Sequence, residues 1–261
     1  PAPGRREQGA PPAPDLSRPA KREGRPPWRP FALPGGRRGG KLAGRAQPRT
    51  AMTLTQPPHP GIFDEPPVAA DTLSHLGPLR GLAGRWQAAK GVDTSPKADG
   101  PETKPYVEHA SFEVIDGQTN GPQLFYGLRY HMHINTPDEK ITFHDQIGYW
   151  LWEPATGLLL QSVTIPRGQA LLAQGRAGAH DRSFTVEAVR GATTNGIASN
   201  PFLDQNFRTD RYRCAITLHD DDSWSYRLDT TLMVEGKAFD HHDTNRLRRV
   251  GPPQPNPLAA G

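Results

Sequence analysis

From residue 82 onward this chain alternates. Segments 82–87, 104–115, 123–134, 140–152, 158–164, 169–176, 183–190, 208–218, 223–234 and 237–250 place apolar side chains at every second position. Turn sequences such as Asn135-Thr136-Pro137-Asp138, Glu153-Pro154-Ala155-Thr156-Gly157 and Asp220-Asp221-Asp222 separate them. Period two is the period of a strand with one buried face. In segment 123–134 that face carries Leu124, Tyr126, Leu128, Tyr130, Met132 and Ile134. Apart from a loop of Gly, Asn, Ser and Pro at 191–204, the connections are of hairpin length. They leave no room for the crossovers that parallel strands need. About ten antiparallel strands joined in sequence order predict an all-β fold, closed into an up-and-down barrel because closure removes both exposed edges. A ring of that size is wider than one that side chains just fill, so a ligand cavity is expected.

Ahead of the strands, Asp71 precedes Leu73, Leu76, Leu79 and Leu82, spaced as one stripe of a short helix with Asp71 as its N-cap. Gly77-Pro78 must break or kink it. The first 51 residues are different in kind. They carry 12 Lys or Arg against 3 Asp or Glu, a net of +9, and the other 210 carry 19 against 24, a net of −5. With 11 Pro and 8 Gly, this leader cannot bury enough apolar surface to offset its conformational entropy. Residues 1–60 are therefore expected to be a disordered tail, 70–250 the barrel domain, and 251–261 a disordered C-terminal tail.

The leader lacks the apolar core of a secretory signal and the amphipathic helix of a transit peptide. The chain opens on Pro1, and Met52 begins the patterned part, so the leader also reads as upstream sequence translated from a wrongly chosen start near Met52. A solvated tail or such an artefact is preferred to a nucleic-acid-binding arm, and no nucleic-acid partner is expected. No apolar run approaches the ~20 residues of a membrane span, so no membrane partner is expected either. The single cysteine, Cys214, shares a face with Tyr212, Ile216 and Leu218, which reads as a buried inert thiol; it says little about compartment, and a cytoplasmic setting is the default expectation. Oligomeric state is not legible.

The chemistry gathers in Gly236-Lys237-Ala238-Phe239-Asp240-His241-His242-Asp243-Thr244-Asn245. On a strand, Phe239, His241, Asp243, Asn245 and Leu247 share one face, and Asp240, His242, Thr244, Arg246 and Arg248 the other. The second set is the more charged and belongs in solvent, which sends His241 inward. An imidazole in an apolar cavity suits the iron of a haem, with Asp243 or a carbonyl on its other nitrogen. Hydrogen bonds within a partly polar barrel would satisfy such a histidine equally well.

Leu82-Ala83-Gly84-Arg85-Trp86 resembles the Leu-x-Gly-x-Trp signature that opens the nitrobindin family, haem-binding β-barrels related to the fatty-acid-binding, calycin or lipocalin-like folds. Phe143-His144-Asp145-Gln146-Ile147-Gly148-Tyr149, with the later Thr164-Ile165-Pro166-Arg167-Gly168, is similar to that family's His-x-Glu-x-Gly-Tyr and Pro-Thr-Gly or Ser-Thr-Gly stretches. Residues 228–247 resemble its last hairpin, so the likeness runs over about 76–250. It implies a ten-stranded barrel holding a b-type haem on a histidine, with nitric oxide binding or peroxynitrite isomerisation. Carried over singly, His241 or His242 matches the proximal ligand, His144 a pocket-wall histidine, and Thr164 and Ile165 the strand end beside the haem. Counting from Gly236 selects His242, whereas strand parity selects His241.

Two other functions are compatible with the residues. A haem-free carrier of a small apolar or lipid-like ligand would use the same histidines as polar anchors. A cupin-like metal enzyme would use His131 and His133, two apart on one strand face, with Glu139, for iron or manganese. His131 and His133 share their face with Arg129, which favours a solvated position. Tyr149, Trp150 and Trp152 form an aromatic cluster read as packing. No nucleophile elbow, Walker loop or dinucleotide fingerprint is present.

Overall fold

The computed structural model describes residues 61–95, 100 and 102–261. The expectations for residues 1–60, a disordered tail and a start near Met52, lie outside the described residues. Within them the chain forms strands β1 (Gly84–Ser95), β2 (Glu102–Val114), β3 (Gln118–Asn120), β4 (Gln123–Asn135), β5 (Thr142–Trp152), β6 (Leu158–Ile165), β7 (Gln169–Arg176), β8 (Ser183–Val189), β9 (Ile197–Ser199), β10 (Phe207–Leu218), β11 (Ser223–Val234) and β12 (Lys237–Gly251). Their order is β2-β1-β12-β11-β10-β8-β7-β6-β5-β4, and β4 pairs back onto β2 to close a ten-stranded antiparallel barrel. The three-residue β3 and β9 lie off the ring, on β4 and β7. All-β sequence, hairpin connections and closure thus agree.

The connections sort into two ends. Gly236 (φ 77°) and Glu235 (φ 48°) make the two-residue turn between β11 and β12, both left-handed as a hairpin turn of that length requires. This turn, 136–141, 166–168 and 190–206 lie at one end. The turns 153–157, 177–182 and 219–222 lie at the other, together with a helical plug. There α1 (Thr72–His75) is capped by Asp71, whose Oδ1 accepts from the Ser74 amide at 3.3 Å. The helix stops where Gly77-Pro78 requires, and a 3₁₀ segment (Gly77–Leu82) carries on. Leu76, Leu79 and Leu82 are completely buried against Trp86, Trp152 and Trp224 of the core. The Trp86 indole N–H donates to the Leu82 carbonyl at 2.7 Å, and the Arg249 guanidinium stacks 4.0 Å above its ring.

One expectation needs correction. Residues 251–261 are not a loose tail. The fully buried Asn256 side chain accepts from the Thr72 amide (3.0 Å) and donates to the Ala70 carbonyl (2.8 Å) and Asp116 (2.6 Å), tying the C-terminal segment to the plug. Sequence periodicity could not reveal this, because Asn256, with the Leu258 amide on Asp116 at 2.9 Å, does the pinning without any repeat. The loop 191–204 has short elements of its own. It contains β9 and a short helix α2 (Pro201–Asn206), capped by Asn200, whose Oδ1 accepts from the Phe202 and Leu203 amides.

Candidate functional site

Towards the end opposite the plug, the barrel holds a cavity of about 390 Å³, within the range of sites for small molecules and cofactors. Its floor is aromatic: Phe112, Trp150 and Trp224, with Phe112 stacked on Tyr130 at 5.6 Å. Higher up, inward positions that would be apolar in a filled barrel are polar. β12 and β6 are five steps apart in either direction around the ring, so they face each other across the interior.

On the β12 side, the alternation puts His241 and Asp243 on the cavity wall, with His241 Nδ1 3.6 Å from an Asp243 carboxylate oxygen and both side chains less than a fifth exposed. His242 points outward, half exposed, with Nδ1 2.6 Å from Asp229. The charged partners on the outer face, Asp229, Arg227 and Arg213, hold this parity. At that distance the carboxylate acts on the imidazole through its charge and favours a proton on the nearer nitrogen.

Behind this wall lies a group that sequence reading missed. Glu108 on β2 faces inward and is completely buried. Its Oε2 accepts from the Tyr226 hydroxyl (3.0 Å) and Asn245 Nδ2 (2.7 Å), and Tyr226 is 3.2 Å from the Tyr106 hydroxyl. Among the described residues Oε1 has no hydrogen-bond partner. Burial pushes the Glu108 carboxyl up to about 7, against the lowering effect of the two hydrogen bonds, and the nearby Asp243 charge pushes the same way. Its position two residues after Tyr106 and two before Ala110 on an inward face was the signal available in the sequence.

The opposite wall is a chain of hydrogen bonds. Arg167 Nη2 is 3.5 Å from His144 Nδ1, His144 Nε2 is 3.0 Å from Gln146 Oε1, and Gln146 Nε2 donates to the Tyr130 hydroxyl at 3.3 Å. Tyr130 donates to the Ser162 carbonyl at 3.0 Å. Every link is satisfied with the His144 proton on Nε2. The Tyr212 hydroxyl donates to Gln161 Oε1 at 2.9 Å beside it, and burial raises the phenols of Tyr130 and Tyr212 above the ordinary tyrosine range. Cys214 also lines the cavity, its thiol pushed up to about 12 by burial, an inert surface at neutral pH.

The sequence of this closed ten-stranded barrel matches a known family. Residues 75–249 fit the family described as THAP4-like, heme-binding beta-barrel domain. The chain belongs to this family. Among solved structures, Rv2717c from M. tuberculosis aligns over 68% of this chain and 96% of its own, at 19% identity and a TM-score of 0.47. No curated protein matches the chain.

Within this THAP4-like barrel the residues singled out from sequence do not all meet. His241 and His144 line the cavity from different walls. Thr164 is exposed on the outer face of β6, and Ile165 packs partly against the core; neither lines the cavity, because β6 presents Gln161 there instead. His131 and His133 lie outside it. His131 Nε2 is 3.3 Å from Asp145, His133 Nε2 is 2.9 Å from the Thr142 hydroxyl, and Glu139 reaches His109 at 3.6 Å. Among the described residues no cluster of three or more His, Cys, Asp or Glu stands close enough to share a metal ion, so the cupin-like set is not assembled. Trp150 and Trp152 are buried and Tyr149 is exposed, as packing on a two-sided strand requires.

Proposed function

We propose that residues 70–250 form a ligand-binding barrel for haem b, with His241 on the iron and His242 outside. The observation that carries this reading is the inward His241 beside Asp243, set in the cavity of a chain from a heme-binding family. The donor set fits the group. Imidazole is a good iron ligand, and a carboxylate at Nδ1 orients the ring and raises the basicity of the ligating nitrogen. Phe112, Trp150 and Trp224 supply the apolar floor that a flat macrocycle needs and keep water from the inner side. Bound haem would supply an iron centre for nitric oxide and, when ferric, for isomerising peroxynitrite to nitrate. The protein's part is to set the Asp243 carboxylate 3.6 Å from His241 Nδ1, an electrostatic bias toward a proton on that nitrogen, and to keep the His144 proton on Nε2 through Gln146. A cytoplasmic setting is taken as the default.

Reconstitution tests this. The purified chain titrated with haemin is expected to give a red-shifted Soret band at one equivalent, and the ferrous form a further shift with nitric oxide. No Soret change, with a co-purifying lipid in native mass spectrometry, would instead mark a haem-free carrier.

A further inference from the structure

The turn between β6 and β7 is built to present one side chain. Asn200 Nδ2 donates to the Arg167 carbonyl at 2.7 Å, the Asn200 amide donates to the Gly168 carbonyl at 2.8 Å, and the Gly168 amide closes the turn on Ile165 at 3.2 Å. Gly168 takes φ 76°, which a side chain would resist. The same Asn200 caps α2, so Arg167 stands on a turn braced from two sides, at the open end, on the cavity lining.

The Arg167 guanidinium is oriented by uncharged acceptors. Nη1 donates to the Phe143 carbonyl at 3.1 Å, and Nη2 lies 3.5 Å from His144 Nδ1. Two of five N–H donors are thereby engaged, and among the described residues no carboxylate pairs with the charge. Neighbouring arginines are matched to acids: Arg190 to Asp204, Arg208 to Asp210 and Arg211 to Glu187, all within 3.0 Å. The other cation lining the cavity, Lys104, is 3.1 Å from Glu102. Below Arg167 the lining is mixed: Phe143, Met132 and Ile134 give it an apolar surface beside the polar pair His144 and Gln146.

A fixed cation without an acid, at the rim of a cavity with an aromatic floor and a partly apolar wall, recognises a ligand with an apolar body and an acidic edge. We propose that Arg167 is the anchor for a carboxylate at the outer edge of the cavity's ligand, making it a specificity-determining residue. The proposal rests on the haem reading above, in which the acids are those of the porphyrin itself.

The test titrates the whole chain, and its R167Q and R167K variants, with haemin and with haemin dimethyl ester, whose acids are blocked. The parent is expected to bind haemin about two- to fivefold more tightly than the ester, the scale of an ion pair at a solvated rim, and less so at high salt. R167Q should lose that preference by weakening haemin and leaving the ester unchanged, and R167K should keep part of it. Equal binding of the two porphyrins by the parent, an undiminished preference in R167Q, or an equal loss for both ligands would overturn the anchor and leave the haem reading standing. If the parent bound neither porphyrin, both would fall.

Discussion

The two ends of the barrel follow one strand alternation and use it in opposite ways. At the plugged end, inward positions are large and apolar, and three leucines with no exposed surface close the ring from below. At the open end, inward positions are His144, Gln146, His241 and Asp243, and space remains between them. Periodicity therefore decides which way a side chain points, and polarity at inward positions decides where packing stops and a site begins. Stability should be concentrated at the first end and ligand selectivity at the second.

The largest effect expected from breaking this division is at the plug. Leu79→Ala should cost about 3 kcal/mol in urea unfolding, as a fully buried leucine truncated to a cavity does, while the Soret band of the haemin complex stays in place. A loss below about 1 kcal/mol would mean the plug is not part of the core.

Next is Glu108, where the open end penalises the fold. Its carboxyl is raised from 4.5 to about 7 in the folded state, so between those values the folded chain holds a proton that the unfolded chain has released. Stability should therefore fall as pH rises through that window, by about 3 kcal/mol, and stay lost above it. Glu108→Gln keeps an acceptor for Tyr226 and Asn245 and cannot ionise, so its unfolding free energy should lack this slope and exceed the parent's at pH 8. A parent and variant with parallel pH profiles would contradict the assignment.

Asn256→Ala should cost about 2 kcal/mol by thermal unfolding, since it leaves the buried Thr72 amide without its acceptor. The smallest effect is expected outside the barrel: His131→Ala with His133→Ala should change stability by less than about 0.5 kcal/mol and leave the metal content of the purified protein unaltered. Stoichiometric iron or manganese lost in that double variant would revive the cupin-like reading.

Much of the fold was legible because a closed meander is a local construction. Ten segments of period two, hairpin turns such as Glu235-Gly236 and the helix broken at Gly77-Pro78 each report their own geometry. Parity likewise put His241 and His242 on opposite faces. The features that were not legible depend on one residue reaching a distant one. Asn256 meets Thr72 across 184 positions, Glu108 meets Asn245 across 137, and Arg167 depends on Asn200, 33 positions on. Thr164 was misplaced for a different reason: likeness of motif was applied without parity, which would have put Gln161, Val163 and Ile165 inward and Thr164 outward.

The central claim is that strand parity makes His241, and not its neighbour, the residue that meets the ligand. The direct measurement is the haemin titration of His241→Ala beside His242→Ala, followed at the Soret band. The account predicts that His241→Ala loses the red-shifted band of the parent and that His242→Ala retains it at the parent's stoichiometry. Loss of the band in His242→Ala alone, or its survival in His241→Ala, would contradict it.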